Sequence, residues 1–168
     1  MRRGLALLVL AAAMLPACST QVAFKQDKRV HILYPHAGQK VQPPVTVRWT
    51  VDDFQVTGPT PAKAEHAGYF AVLIDRSPQP PGEPLSWFAR NDRVCHQAPA
   101  CPDTAYLNRH DIYTTTDTSF PVPVLRAPPS GSKGKNTHEV TVVLLDGTGR
   151  RVGETAFAVE FEVPKVRL

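Results

Sequence analysis

Residues 45–51 alternate strictly between apolar and polar side chains, and this pattern constrains the fold more than any other feature of the chain. The segment reads Val-Thr-Val-Arg-Trp-Thr-Val. Successive side chains of a β-strand point to opposite faces, so the pattern predicts a strand with one buried face. Such a face must pack against a second layer of structure. The segment therefore predicts a layered β-protein.

Further strands are predicted wherever apolar residues alternate or run together between turn residues. They cover residues 30–34, 68–75, 118–125, 138–146 and 152–163. Pro121 and Pro123 each remove a backbone donor, which places the strand that contains them at a sheet edge. No segment shows the 3.6-residue periodicity of a long helix.

Six or seven strands without a long helix predict an all-β fold, an antiparallel β-sandwich of about seven strands with one long proline-rich excursion. The arrangement resembles immunoglobulin-like and fibronectin-type domains. Neither the second nor the penultimate strand carries a cysteine, so the inter-sheet disulfide of antibody domains is not expected. A cupredoxin-like barrel, also built from two sheets, is the alternative.

The N-terminal residues are typical of an export signal. Arg2 and Arg3 precede an apolar run over residues 5–15, which is shorter than the roughly 20 residues that a membrane-spanning helix needs. Residues 15–18, Leu-Pro-Ala-Cys, resemble the lipobox of bacterial lipoproteins. The resemblance implies cleavage after residue 17 and lipidation of Cys18. An ordinary signal peptide that leaves Cys18 as a spare thiol is the alternative.

These signals divide the chain into a signal peptide (residues 1–17), a lipidated tether (18–28), a single domain (29–164) and a C-terminal tail (165–168). Lipid on Cys18 would anchor the domain to the cell membrane or the outer membrane, facing the periplasm or the cell exterior. Without the two arginines of the signal peptide, the formal charge falls from +4 to +2. Because the remaining basic residues do not gather on one face, no nucleic-acid partner is predicted.

Two cysteines remain once Cys18 is assigned to lipid. Cys95 and Cys101 are separated by five residues in a proline-containing loop. Outside the cytoplasm such a pair predicts a disulfide. The alternative is a metal site that also uses His96, although this spacing matches none of the common zinc patterns.

Residues 77–117 form the long excursion. Six prolines within residues 77–111 argue against a central strand there, and a helical turn is predicted over residues 103–109. Because loops on a rigid sandwich commonly carry recognition, the aromatic and basic side chains of this excursion are candidate binding residues. These are Trp87, Phe88, Arg90, Tyr106 and Tyr113. In an alternative interpretation the aromatic rings only cover an open sheet edge.

Three further segments resemble a pattern shared by small exported bacterial domains of uncharacterised function. They are residues 33–38, 41–47 and 68–75, which contain a strand with a proline turn, a second strand, and a third that ends Leu-Ile-Asp. The histidines that follow the glycine in such domains are missing from this chain. The resemblance therefore implies an exported sandwich without a carried-over metal role.

Motifs for catalysis or cofactor binding are missing from the sequence. It contains no Gly-x-Ser-x-Gly elbow, and its six histidines are spread singly. We therefore expect a non-enzymatic binding module, with no cofactor and no metal, that contacts the membrane through Cys18 and binds an envelope protein, peptide or polymer. A lipoprotein that handles copper or zinc is the alternative, and the oligomeric state stays open.

Overall fold

A computed structural model describes residues 28–125 and 136–164, apart from the side chains of residues 154 and 155. The predicted signal peptide, Cys18, all but the last residue of the tether, and the tail over residues 165–168 lie outside the described residues. Eight strands form within the described part. They are β1 Val30–Tyr34, β2 Thr46–Val51, β3 Gln55–Val56, β4 Ala67–Ile74, β5 Ile112–Thr115, β6 Ser119–Pro121, β7 Thr137–Asp146 and β8 Arg151–Glu162.

The strands form two sheets packed face to face. The three-stranded sheet has the order β1-β2-β6, and the five-stranded sheet has the order β3-β4-β7-β8, with β5 also paired to β4. Apart from the two-residue β3, the strands pair as the A-B-E and C′-C-F-G strands of immunoglobulin-like domains do. The prediction of an all-β sandwich is confirmed. Over the described residues the sheets do not close into a barrel, which favours the sandwich over the cupredoxin-like alternative.

One strand pair departs from the antiparallel prediction. β3 runs parallel to β4, with Gln55 opposite Ala67 and Val56 opposite Gly68. The chain leaves β2 and reaches the edge of β4 beside that strand's first residues, where the Gln55 and Thr57 amides donate to the His66 and Gly68 carbonyls. The five-stranded sheet is therefore mixed, although its four longer strands pair only antiparallel among the described residues.

The sandwich core lies between the two sheets and follows the predicted alternation. Val47 and Trp49 of β2 are buried, whereas Arg48 and Thr50 between and after them are exposed. The Trp49 ring meets Phe70 of β4 edge to face, with 5.4 Å between the ring centroids. β4 is buried on both faces, as its continuous apolar run predicts.

The sheet edges are short or covered. β6 is three residues long, and its last residue is Pro121, which has no backbone donor to offer a further strand. The edge of β8 is covered near each end by chain segments outside the strands, since Lys40 bridges to Glu162 and Pro84 bridges to Arg150. These features limit the pairing of further strands with the sandwich.

Residues 77–111, which we call the cap, form a third layer on the outer face of the five-stranded sheet. The cap contains a 3₁₀ helix Leu85–Ala89 and two short helices, α1 Arg93–His96 and α2 Thr104–Arg109. The predicted helical turn near residues 103–109 is confirmed. Residues 112–115, predicted within the excursion, instead form β5 because they pair with Phe70–Leu73 of β4.

Candidate functional site

Local sequence signals build the two helices of the cap. The Asp92 carboxylate accepts hydrogen bonds from the Val94 and Cys95 amides and thereby begins α1. Asp103, directly after Pro102, accepts from the Tyr106 amide and begins α2. Aspartate is a favoured residue at this position because its oxygen satisfies amides that the first helical turn leaves unpaired. The two caps fix where each helix begins.

A disulfide joins the first helix of the cap to the loop that precedes the second. Cys95 of α1 bonds to Cys101, with 5.2 Å between their Cα atoms. The predicted pairing is confirmed, and both sulfurs are used in it. Because this link closes the loop between the helices, it restricts the unfolded chain and holds the loop against α1.

A second hydrophobic core fixes the cap to the sheet. Tyr69 and Leu73 of β4 contribute from the sheet, and Phe88, Leu107 and Ile112 contribute from the cap and the start of β5. Leu73 and Ile112 are completely buried. The cap is therefore a packed layer whose backbone is positioned by the same strand that lines the sandwich core.

The cap contains a pocket of about 440 Å³, which we call the cap pocket. Small apolar side chains and the disulfide form most of its wall, and charged or polar side chains complete it. The lining residues are Asp92, Val94, Cys95, Ala98, Pro99, Ala100, Cys101, Asp103, Tyr106, Arg109 and His110. This size and composition fall within the range of small-ligand pockets. Val94 is 78% exposed at this pocket, the largest exposed fraction among the exposed large apolar side chains of the described chain.

Hydrogen bonds hold the Asp92 side chain in its charged form. The Cys95 amide is the largest cause of a lowered Asp92 pKa. Desolvation, the second-largest cause, opposes it, and the Tyr106 hydroxyl, the Val94 amide and the nearby His110 lower the pKa further. Each of these donors favours the carboxylate over the neutral acid. Asp92 is therefore a structural anion that joins α1 to α2.

The Tyr106 side chain is held in its neutral form. Burial raises its pKa above the ordinary value of 10.0, and the Asp92 carboxylate raises it further. The pKa of Asp92 is lowered and that of Tyr106 is raised, so both pKa values move farther from neutral pH. A general acid or base works best with a pKa near the working pH, so these two groups are suited to binding and positioning rather than proton transfer.

The structure distributes the five candidate binding residues over separate places. Phe88 is 9% exposed and packs in the second core, with the Arg76 guanidinium 5.6 Å from its ring centroid. Trp87 is half-buried and meets Phe88 edge to face. Arg90 lies over the Trp87 ring at 3.5 Å from the centroid, and its Nη1 donates to the Trp87 carbonyl. One face of the indole is therefore covered by the arginine.

The two tyrosines among the candidates lie on opposite faces of the five-stranded sheet. Tyr106 is 7% exposed and forms part of the cap pocket wall, where its ring stacks at 4.2 Å from that of His110. Tyr113 belongs to β5 and packs against the sandwich core, with its ring 5.0 Å from Phe120 of β6. Of the five residues, Tyr106 alone lines the pocket.

Sequence reasoning missed several residues that line the pocket, namely Asp92, Val94, Asp103, Arg109 and His110. The two aspartates carry a usable signal, since Asp before a short apolar segment predicts the start of a helix. Arg109 is the last residue of α2, and His110 follows it. Their approach to the disulfide loop depends on how the two helices pack. The exposure of Val94 has no sequence signal.

Three of the histidines, His31, His66 and His138, each pair with one aspartate. His138 is buried, and its Nδ1 lies 2.7 Å from Asp75 Oδ2, which joins β7 to the residue after β4. The exposed His31 lies 3.2 Å from Asp52 in the same manner. Within residues 28–125 and 136–164, no three His, Cys, Asp or Glu side chains come together as metal ligands would.

Comparison of the chain with protein-family models, curated proteins and solved structures gave no match. In the part of the chain that the structure describes, no helix is both long and apolar enough to span a bilayer. Inferences about function therefore depend on the fold and on the cap pocket.

The lowered pKa of Asp92 predicts that the cap is sensitive to acid. A lowered pKa in the folded state means that the contribution to stability is complete above the carboxyl's ordinary value of 3.8 and is lost as the pH falls through the lowered value. Between about pH 4 and pH 2, the unfolding midpoint of the wild type should therefore fall more steeply than that of Asp92→Asn. Asparagine keeps a side-chain oxygen that can begin α1.

Thermal unfolding followed by near-ultraviolet circular dichroism across this pH range measures the difference. Asp117→Asn, an exposed carboxylate in the turn before β6, is the matched control and should keep the wild-type slope. Identical slopes for the wild type and Asp92→Asn would contradict the role of Asp92.

Proposed function

We propose that the protein is a lipid-anchored, non-enzymatic module of the cell envelope that binds a partner protein through the cap pocket. The observation that carries this proposal is the open apolar wall of the pocket. Val94 stands 78% exposed there, next to the small side chains of the disulfide loop. An apolar surface presented to solvent at a concave site is typical of binding.

Rigid support of the pocket favours a recognition role. The disulfide, the Asp92 and Asp103 caps and the second core all restrain the walls. Restraint before binding lowers the entropy that a partner must overcome. The chemistry of the pocket also favours binding over catalysis, because its two groups with shifted pKa values are held away from neutrality.

The position of the tether agrees with this proposal. Arg29 lies beside Asp52 and donates to the Glu65 carbonyl, so the tether enters at the end of the domain where β4 begins. Ile74, at the other end of β4, bonds to the Asp111 carbonyl, next to His110 of the pocket. Eight strand residues span roughly 25 Å. A lipid on Cys18 would therefore be attached through the end of the domain that lies opposite to His110 along β4.

Photo-cross-linking from the pocket tests the proposal. A photoreactive residue at position 94, in the lipidated chain expressed in its own envelope, should give one specific partner adduct. Val124 is the matched control, since it is also an exposed valine, at 62%. It follows β6, a strand of the three-stranded sheet, and is not among the residues that line the pocket. The control position should give none of that adduct. Adducts that are equal from positions 94 and 124 would contradict the proposal.

The lipid anchor is tested in the same experiment. Cys18→Ser should move the protein from the membrane fraction to the soluble fraction, and it should reduce the yield of the adduct if the partner is also in the membrane. A Cys18→Ser protein that stays in the membrane fraction would show that the anchor is not a lipid on Cys18.

A further inference from the structure

His110 presents a hydrogen-bond acceptor to the cap pocket when its ring is neutral. Its Nδ1 lies 2.8 Å from the Tyr106 carbonyl oxygen. A carbonyl oxygen can only accept a hydrogen bond, so Nδ1 must carry the proton. In a neutral imidazole the other nitrogen, Nε2, then has a free lone pair. The ring stacks on Tyr106, which fixes its orientation as a wall of the pocket.

Asp103 offers a second acceptor to the same pocket. Its Oδ1 accepts the Tyr106 amide at 2.7 Å, and the side chain is exposed to solvent. Asp92, by comparison, already accepts three hydrogen bonds, from two amides and the Tyr106 hydroxyl. Asp103 is therefore the lining carboxylate with bonding capacity left for a ligand.

The charges that line the pocket favour a cation. Asp92 and Asp103 are negative, whereas Arg109 is positive and has its own interactions within the protein. Apart from His110, the remaining lining side chains are apolar or uncharged. A ligand that fits both the apolar wall and the carboxylates has an apolar stem and a terminal group with several N–H donors.

We infer that the cap pocket takes a lysine side chain of the partner protein, with the ammonium group donating to the Asp103 carboxylate. The inference deepens the proposed function and rests on it. A lysine stem is four methylenes long and packs well on apolar walls while its ammonium stays at a polar rim. The small side chains of residues 98–100, Ala-Pro-Ala, and the disulfide would contact the stem.

Titration with three four-carbon probes tests this ligand class. n-Butylamine reproduces the lysine side chain, whereas butyrate and 1-butanol have the same number of carbons with a negative or a neutral end. NMR spectra of the folded protein, followed at the His110 imidazole and the Val94 methyl groups, report binding at the pocket. We expect n-butylamine to bind about tenfold more tightly than either other probe, as charge-assisted hydrogen bonds are stronger than neutral ones.

Asp103→Asn supplies the matching variant. Asparagine keeps the oxygen that begins α2 but loses the charge. The affinity for n-butylamine should fall by about five- to tenfold, while the affinity for 1-butanol should not change. Asp117→Asn, which is not among the residues that line the pocket, should leave both affinities unchanged.

The inference is overturned if butyrate or 1-butanol binds as tightly as n-butylamine, if no probe shifts the His110 signals, or if Asp103→Asn weakens all probes equally. Such results can be separated from failure of the proposed function. A specific adduct from position 94 together with no preference for the amine would keep the binding function and reject lysine as its ligand. If n-butylamine binds preferentially but position 94 gives no adduct, the preference of the pocket for an amine is supported and the proposed binding of a partner protein is rejected.

Discussion

Replacement of Gly68 by alanine is expected to lower the unfolding midpoint by about 10 °C or to prevent folding. Gly68 lies at the start of β4 with φ 153° and pairs with Asp146 of β7. A Cβ at position 68 would overlap the Leu145 carbonyl oxygen and lie 2.8 Å from the Asp146 Cα. Both atoms belong to the backbone of a central strand and cannot rotate away. Backbone strain and overpacking together should cost about 3 kcal/mol or more.

Gly38→Ala separates the two causes of this loss. Gly38 also has a positive φ, of 70°, but no heavy atom lies within 4 Å of the position that its Cβ would take. This control therefore carries only the cost of a left-handed backbone, about 1 kcal/mol, or roughly 3 °C in the midpoint. Calorimetry on both variants measures the difference. Equal losses would show that the close approach of β7 to Gly68 is not the main constraint.

Most of the sandwich was predictable because one-faced and two-faced burial leave different sequence patterns. Residues 45–51 alternate, and β2 is buried on alternate positions. The unbroken apolar run of β4 predicted burial on both faces, which the cap and the three-stranded sheet provide. Pro121 predicted an edge strand because proline cannot donate to a further neighbour, and β6 pairs with β2 alone among the described residues.

Elements that depend on tertiary contacts left no such pattern. β3 is two residues long, and both of its residues are exposed, so nothing in Gln55 or Val56 indicates a strand. β5 forms because the cap returns the chain to the free edge of β4, and its four residues carry only one fully buried side chain, Ile112. Strands this short arise from pairing with a neighbour that is already in place.

The residues of the cap pocket were likewise only partly predictable from the sequence. The Cys95–Cys101 disulfide was predictable, because it requires only two cysteines outside the cytoplasm. Large aromatic residues were less informative, because Phe88 is needed for packing, whereas Tyr106 both packs and lines the pocket. The acceptor on His110 follows from a bond to one backbone carbonyl, which only the folded helix α2 brings into place.

Two hydrophobic cores meet on β4, and we expect truncation of one phenylalanine in each core to have different effects. Phe70 is completely buried against Trp49 in the sandwich core, and Phe88 is buried in the core beneath the cap. Phe70→Ala should cost about 3–5 kcal/mol and speed hydrogen exchange throughout both sheets. Phe88→Ala should speed exchange mainly at Leu107 in the cap, while Val142 of β7 stays protected. Phe88 takes no part in the pairing of β4 with β7.

Native-state hydrogen exchange resolved by residue measures this contrast, and Val124→Ala, an exposed truncation, should change neither site. If Phe88→Ala speeds exchange at Val142 as much as at Leu107, the cap and the sandwich unfold as one unit. In that case the pocket walls could not adjust to a partner without loss of the whole fold, and binding would have to rely on the pocket as it stands. If the cap opens separately, its walls can adapt to a partner at a fraction of the free energy of global unfolding.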